Sequence, residues 1–328
     1  MISVVTAYYN RKSLFIRTLD SFCSSIGKIN FEVIAVDDGS DENERLEDLV
    51  DKYPFLKVIR LERENKWYSN SCIPFNIGFS HCIGDKVIIQ NPECYHFGNI
   101  LEHVDKNLKR NEYLSFGCYS LDKETTEKTI IENYNYISDE INSCKRSHRY
   151  DGDSGWYNHS IYRPSAFHFC SAIKYEDLME LGGFDERYAL GNSFDDDEFL
   201  WRIRCKKMEV KIIDNFIVLH QNHYQKKLNE FGNDILNAQN LNDKYFRNKQ
   251  LYNYITKGNN TFKANILFNK NQLFNDISKQ ENNNYFISNM NERISLILKS
   301  KWKSKIILFM LKALLLFPIS KGNNNKYF

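Results

Sequence analysis

Short apolar runs alternate with polar segments of helical repeat through the first ninety residues. The runs at 2–6, 32–36, 57–61 and 86–90 are rich in Val and Ile and end in turn residues, as buried parallel strands do. Between them, 13–25 and 44–52 space their apolar positions as helices do, and a third helix over 71–82 tolerates Pro74 in its first turn. This alternation predicts an open α/β sheet flanked by helices, with ligands at the carboxyl ends of the strands. Two polar clusters fall there: Asp37-Asp38-Gly39-Ser40 after the second run and Gln90-Asn91-Pro92-Glu93 after the fourth.

The pattern changes beyond the fourth run. Residues 122–165 are polar and weakly periodic, which predicts a long surface excursion of the kind that often carries function. It closes on Gly155-Trp156-Tyr157-Asn158-His159, whose aromatic faces suit either stacking on a sugar ring or filling the core. A strand over 166–173, a helix over 175–181 ended by Gly182-Gly183, a helix over 196–204 and a strand over 210–220 follow. From 224 onward the chain is rich in Asn and Lys with helical periodicity and no evident chemistry. The expected division is a catalytic domain over 1–223 and a helical C-terminal region over 224–328. Within that region, 306–319 is almost wholly apolar apart from Lys312, and Lys299, Lys301, Lys303 and Lys305 precede it. It is shorter than the roughly 20 residues that span a bilayer. A basic interfacial helix on an anionic membrane surface, a helix docked on the domain and a dimer contact are the three readings.

Composition narrows the classes. A net charge of +2 over 328 residues gives no concentrated basic field, so no nucleic-acid partner is expected. Apolar residues make up 42% and aromatics 14%, which suits a globular chain with aromatic-lined clefts. Eight cysteines occur without a CxxC pair or zinc-like spacing, as small buried hydrophobes in a reducing compartment do. The run 2–5 is only strand-length, so no leader is expected there. A cytoplasmic protein, peripheral on the inner face of a membrane through its tail, is the expectation.

Carboxylates carry the candidate chemistry: they hold ribose hydroxyls, ligate a divalent cation or act as general base. Asp37-Asp38 alone is compatible with a solvated turn, and Asp195-Asp196-Asp197-Glu198 with an acidic helix start favoured by the helix dipole. Their setting brings in a resemblance. Val4-Val5-Thr6-Ala7-Tyr8-Tyr9-Asn10-Arg11, Ile34-Ala35-Val36-Asp37-Asp38-Gly39-Ser40 and Pro74-Phe75-Asn76-Ile77-Gly78-Phe79 resemble, in that order, segments of family 2 glycosyltransferases and Golgi-type beta-galactosyltransferases. Leu181-Gly182-Gly183-Phe184-Asp185-Glu186 and the acidic block through Arg202 are similar to the acceptor side of the same group.

The resemblance covers about residues 1–223 and implies a GT-A fold, Rossmann-like with a mostly parallel central sheet. It implies transfer of a sugar, with inversion, from a UDP-sugar to a carbohydrate or glycolipid hydroxyl in polysaccharide synthesis. It assigns nucleotide contacts to Ala7, Tyr9, Arg11, Asp37, Asp38 and Asn76. Asp196 takes the position of the general base, with Asp195, Asp197, Trp156 and Tyr157 on the acceptor. The group's acid-x-acid motif, which binds Mn2+ or Mg2+, is replaced by Asn91-Pro92-Glu93, leaving one carboxylate and a neutral amide. His220 and His223 resemble the histidine that completes the metal shell, or form an ordinary exposed pair. A non-catalytic sugar-nucleotide or glycan-binding protein is the alternative. A nucleotidyltransferase is disfavoured, because Ala7–Arg11 holds no glycine for a phosphate loop.

Overall fold

The structure is a computed structural model that describes residues 1–128, 134–148, 152–223, 243–258 and 262–265. The chain divides into two units, 1–274 and 275–328; the second, with the apolar tail, lies outside the described residues.

The first unit is built on one nine-stranded sheet. Its strands are β1 (Ile2–Tyr8), β2 (Phe31–Asp37), β3 (Leu56–Arg60), β4 (Lys86–Gln90), β5 (Cys94–Phe97), β6 (Glu112–Ser120), β7 (Gly155–Asn158), β8 (Cys170–Lys174) and β9 (Glu209–His220). They lie in the order β3-β2-β1-β4-β8-β6-β9-β5, with β7 paired to β6. Six strands run one way, and only β5, β7 and β8 oppose them. Every residue of β2 and all but Ala7 of β1 are buried, so Val and Ile fill both faces as the apolar runs require. The described helices are α1 (Lys12–Phe22), α2 (Cys72–Ser80), α3 (Ile100–Asn107), α4 (Lys123–Glu127), α5 (Tyr134–Ser143), α6 (Tyr175–Leu181), α7 (Asp195–Cys205) and α8 (Asp243–Gly258).

Helix α1 turns Phe15, Leu19 and Phe22 inward at a spacing of four and three residues, the stripe of an amphipathic helix. Helix α2 has all nine residues buried. Gly78 permits that depth: a Cβ there would stand 2.3 Å from Val5 Cγ1 and 3.2 Å from Val36 Cγ2. The register Tyr8↔Asp37↔Arg60 aligns three carboxyl ends on one edge, which β4, β6 and β9 share.

Four expectations need correction. Residues 44–52 form no α-helix but two 3₁₀ turns, Glu42–Glu44 and Glu47–Leu49, because only Leu46 and Leu49 reach the core from that acidic stretch. The excursion at 122–165 contains α4, α5 and β7 rather than loop alone. Residues 91–121, for which the pattern predicts no element, hold β5, α3 and β6. Strand β8 starts at Cys170 instead of 166, since Ala166 has a left-handed backbone, φ 57°. No helix among the described residues is long and apolar enough to cross a membrane.

Candidate active site

At the carboxyl end of β1 the chain turns through Asn10 at φ 47° into α1. Ala7 sits beyond Val5↔Ile89, the last β1–β4 register pair. Tyr9 is 44% exposed, and its ring lies 5.3 Å from Lys66 Nζ and 5.8 Å from the Arg63 guanidinium carbon. Asp38 accepts from Lys66 Nζ at 2.6 Å and Tyr68 Oη at 2.5 Å, yet burial pushes its carboxyl up. Gly39, φ 80°, lets Arg63 approach; a Cβ would stand 3.1 Å from Arg63 Cα. A cavity of about 320 Å³ adjoins, lined by Tyr9, Asn10, Arg11, Ser13, Leu14, Glu44 and His223. Tyr9 is common to both, and its aromatic face with the Arg11 guanidinium and the Glu44 carboxylate around one opening suits a nucleotide.

Glu93, between β4 and β5, is the centre of a second group. Its Oε1 faces His220 Nε2 at 3.0 Å and His223 Nε2 at 3.4 Å, and its Oε2 pairs with Arg11 Nη1 at 2.7 Å. The β5–β9 register sets Cys94 opposite His220, which delivers the imidazole to Glu93. Burial alone would push the Glu93 carboxyl up, but Arg11 and the two imidazoles outweigh it and hold it well below the usual carboxylate range. Burial holds His223 below its ordinary value, with Glu93 opposing. Asn91 shares this turn; its N–H donates to the Phe169 carbonyl and its carbonyl accepts from Cys94 N–H, both at 3.1 Å.

The ligand atoms of Glu93, His220 and His223 all lie within 4.8 Å of one another. Two donors each ~2.1 Å from one ion at a right angle stand about 3 Å apart, so the 3.0 and 3.4 Å spacings fit a single cation. The mixed imidazole–carboxylate set suits a divalent first-row transition ion better than Mg2+, which prefers oxygen donors.

The acids occupy the start of α7. Asp195 accepts from Asn70 Nδ2 at 2.9 Å, and the N–H groups of Ser69 and Asn70 donate to the Ala189 carbonyl, which ties α7's first turn to the same sheet edge. Asp196 is partly exposed and accepts from Asp197 N–H at 2.9 Å. Burial raises the Asp196 carboxyl well above its ordinary value, and Asp195 and Asp197 add repulsion. Asp197 is raised for the same two reasons, burial first. Before them, Ser193 and Phe194 are both left-handed, φ 60° and 67°, a strain of order 1–3 kcal/mol each. Helix α8 holds this turn: Asn248 Nδ2 donates to Ser193 O at 3.0 Å, and Tyr245 and Tyr252 pack on the Phe194 ring.

Four of the assigned residues are buried and committed to other partners. Trp156 is 4% exposed, gives its indole N–H to Cys144 O at 2.8 Å and packs in a cluster with Tyr119, Ile137 and Leu219. Tyr157 points from the other face of β7 into the main core, stacked on Phe169 at 5.1 Å. Neither offers a face to an acceptor. Asn76 is fully buried, and its amide exchanges hydrogen bonds with Phe184 N–H and C=O at 2.8 and 2.9 Å, so it splices α2 to the turn after α6. Asp37 is likewise buried, with its oxygens taken by Ser40 N–H and Arg60.

Sequence reasoning passed over Arg63, Lys66, Tyr68, Asn70 and His168. The cation-aromatic run Arg63 to Tyr68 just after β3 was the available signal for the first three. His168 lies against Phe75 and Phe184, ring centroids 5.4 and 4.9 Å away, and burial keeps its imidazole below the ordinary value while Asp195 opposes.

Residues 3–178 match the family model described as glycosyl transferase family 2, more than half of the chain. The chain belongs to glycosyl transferase family 2. Its fold is accordingly GT-A, and the acids of α7 and both site histidines lie beyond the matched segment. No curated protein matches this family 2 chain. Among solved structures it is similar to S. aureus TarS, with 16% identity over 66% of this chain and 36% of that one, TM-score 0.41. GalNAc-T7 with UDP, GalNAc and Mn2+ is 17% identical over 67% and 43%, TM-score 0.46. The mannosyltransferase PcManGT from Pyrobaculum calidifontis, in complex with GDP-Man and Mn2+, is 15% identical over 97% and 81%, TM-score 0.46. The chain thus spans less than half the length of TarS and of GalNAc-T7.

Proposed function

We propose that this family 2 chain transfers a sugar, with inversion, from a UDP-sugar to a hydroxyl of a carbohydrate or glycolipid in polysaccharide synthesis. The reading is supported by a cation-ready group, Glu93 with His220 and His223, together with the acidic start of α7, where Asn70 holds Asp195 beside Asp196. Tyr9 and Asp38 receive the base and ribose, with the backbone at Ala7 and the cations Arg63 and Lys66 beside them. Arg11 reaches the diphosphate. The acceptor hydroxyl gives its proton to Asp196 as its oxygen bonds to the anomeric carbon and the bond to the diphosphate oxygen breaks. Asp195 and Asp197 orient acceptor hydroxyls. A divalent cation held by Glu93, His220 and His223, with Asn91 alongside, would neutralise the leaving nucleotide as a Lewis acid. The catalytic domain proper is assigned to 1–223.

A panel of nucleotide sugars, assayed for hydrolysis and transfer with EDTA and with added Mn2+, tests this. A UDP-sugar should turn over, EDTA should lower the rate and Mn2+ restore it, and Glu93→Ala should lose the Mn2+ response. A chain that turns over no nucleotide sugar would overturn the reading. The lysine-flanked tail is assigned to an anionic membrane surface. Deleting 299–328 should abolish flotation with anionic liposomes; unchanged flotation would remove the membrane from the proposal.

A further inference from the structure

Glu93 is a single carboxylate with several claimants. Arg11 holds Oε2 at 2.7 Å while two imidazoles face Oε1 at 3.0 and 3.4 Å. Among the described residues the Arg11 guanidinium makes no other hydrogen bond. Its side chain is 33% exposed and lines the 320 Å³ cavity with Tyr9 and His223. It therefore keeps donors for a second anion, and its planar fork matches phosphate oxygens better than a lysine would.

We propose that Arg11 is an exchangeable counter-ion for Glu93: a nucleoside diphosphate draws it away, so that divalent cation and nucleotide bind as a coupled pair. This rests on the nucleotide reading of the cavity. The argument is one of charge. Without nucleotide, a dication entering the triad meets a guanidinium already bound to the triad's one carboxylate, and excess positive charge is left beside the buried Glu93 and His220. With a diphosphate in place, Arg11 turns to phosphate oxygens, both Glu93 oxygens are released, and the charges nearly cancel. Each ligand then raises the affinity for the other by the same factor.

The test is binding rather than turnover: Mn2+ titrated into the full chain, with free ion followed by electron paramagnetic resonance, with and without UDP. In the parent, UDP should tighten Mn2+ by about tenfold or more, and Mn2+ should tighten UDP equally. Arg11→Met should bind Mn2+ alone roughly tenfold more tightly than the parent, with the mutual effect reduced below about threefold. Arg11→Lys, which keeps the charge and the fold, should retain an intermediate coupling. Arg11→Met binding Mn2+ alone no more tightly than the parent would overturn the proposal, as would a parent whose Mn2+ affinity ignores UDP. Coupled binding without turnover of any UDP-sugar would defeat the transfer reading and leave this one standing. Turnover with uncoupled binding would do the reverse.

Discussion

Asp196 combines two properties that a general base needs: partial access to solvent and a carboxyl raised by burial and by its acidic neighbours. Asp196→Asn keeps the shape and cannot take a proton, so transfer should fall by roughly 10²–10⁴-fold while UDP affinity holds. Asp195→Asn and Asp197→Asn should cost less. A parental transfer rate in Asp196→Asn would move the role to its neighbours. The pH dependence has a definite sign. The base works ionised, so the rate should decline on acidification at a pH above the ordinary carboxylate range. Asp197→Asn should move that limb downward by removing a repelling charge, as a pH profile of kcat would show. The folded chain also holds the Asp196 proton more tightly than the unfolded one, so stability is fully present below the unfolded pKa and lost as pH rises through the folded value. Asp196→Asn should therefore melt higher than the parent at pH 8, by ~2–4 °C for each kcal/mol relieved. At this scale the sequence was informative just beyond β4 and at the end of β9, where Glu93, His220 and His223 do converge. It misled where a polar or aromatic residue serves packing. Asn76 and Trp156 look like binding groups in one dimension, because burial and the partners of an amide or indole are tertiary properties.

Strand β7 shows how an element decides what its residues can do. Alternation along Gly155–Asn158 sends Trp156 to one face and Tyr157 to the other, and both faces are covered. Trp156 meets Tyr119, His159 and Tyr162 at centroid distances of 5.3, 4.4 and 6.4 Å, so its ring fills a cluster fed by α5 through Ile137 and Ile141. Trp156→Ala should lower unfolding stability by about 3–5 kcal/mol in denaturant titration. Trp156→Phe should leave acceptor KM unchanged, and a KM raised without loss of stability would return the residue to the acceptor site. Strands β1, β2 and β4 were legible because both their faces are almost wholly buried and they are rich in Val and Ile, whereas β3 is only half-buried and was read from Val58 and Ile59. Strands β5 and β6 were passed over: β5 is only four residues long, and β6 carries an alternation, Leu114, Phe116 and Cys118 against Ser115 and Gly117, that sequence reasoning did not use.

For the whole molecule, the sheet ends at His220, but the contacts that shape the approach to α7 do not. Asn248 on α8 donates to Tyr188 O and Ser193 O, and Asn265 donates to Gly182 O while accepting from Glu186 N–H. Ala264 N–H donates to Leu181 O at 2.9 Å. These bonds brace the whole loop from Gly182 to the left-handed pair Ser193 and Phe194, which carries strain that needs outside support. Periodicity alone could not reveal this, because single asparagines in an Asn-rich stretch give no sign of which backbone groups they meet. The consequence is a contrast between two truncations. A chain ending at 274 retains every bracing contact and should keep UDP binding and transfer to a soluble acceptor. A chain ending at 223 loses them all; its acids should lose their position, and transfer should fall at least about tenfold even where UDP still binds through β1 and β2. Asn248→Ala is the milder version: it removes two hydrogen bonds, one to Tyr188 O, which keeps Gly191 N–H, and one to Ser193 O, about 1–3 kcal/mol of stability together, and should lower kcat more than it changes UDP affinity. Equal transfer rates for the 223 and 274 chains would show that the loop holds its shape unaided.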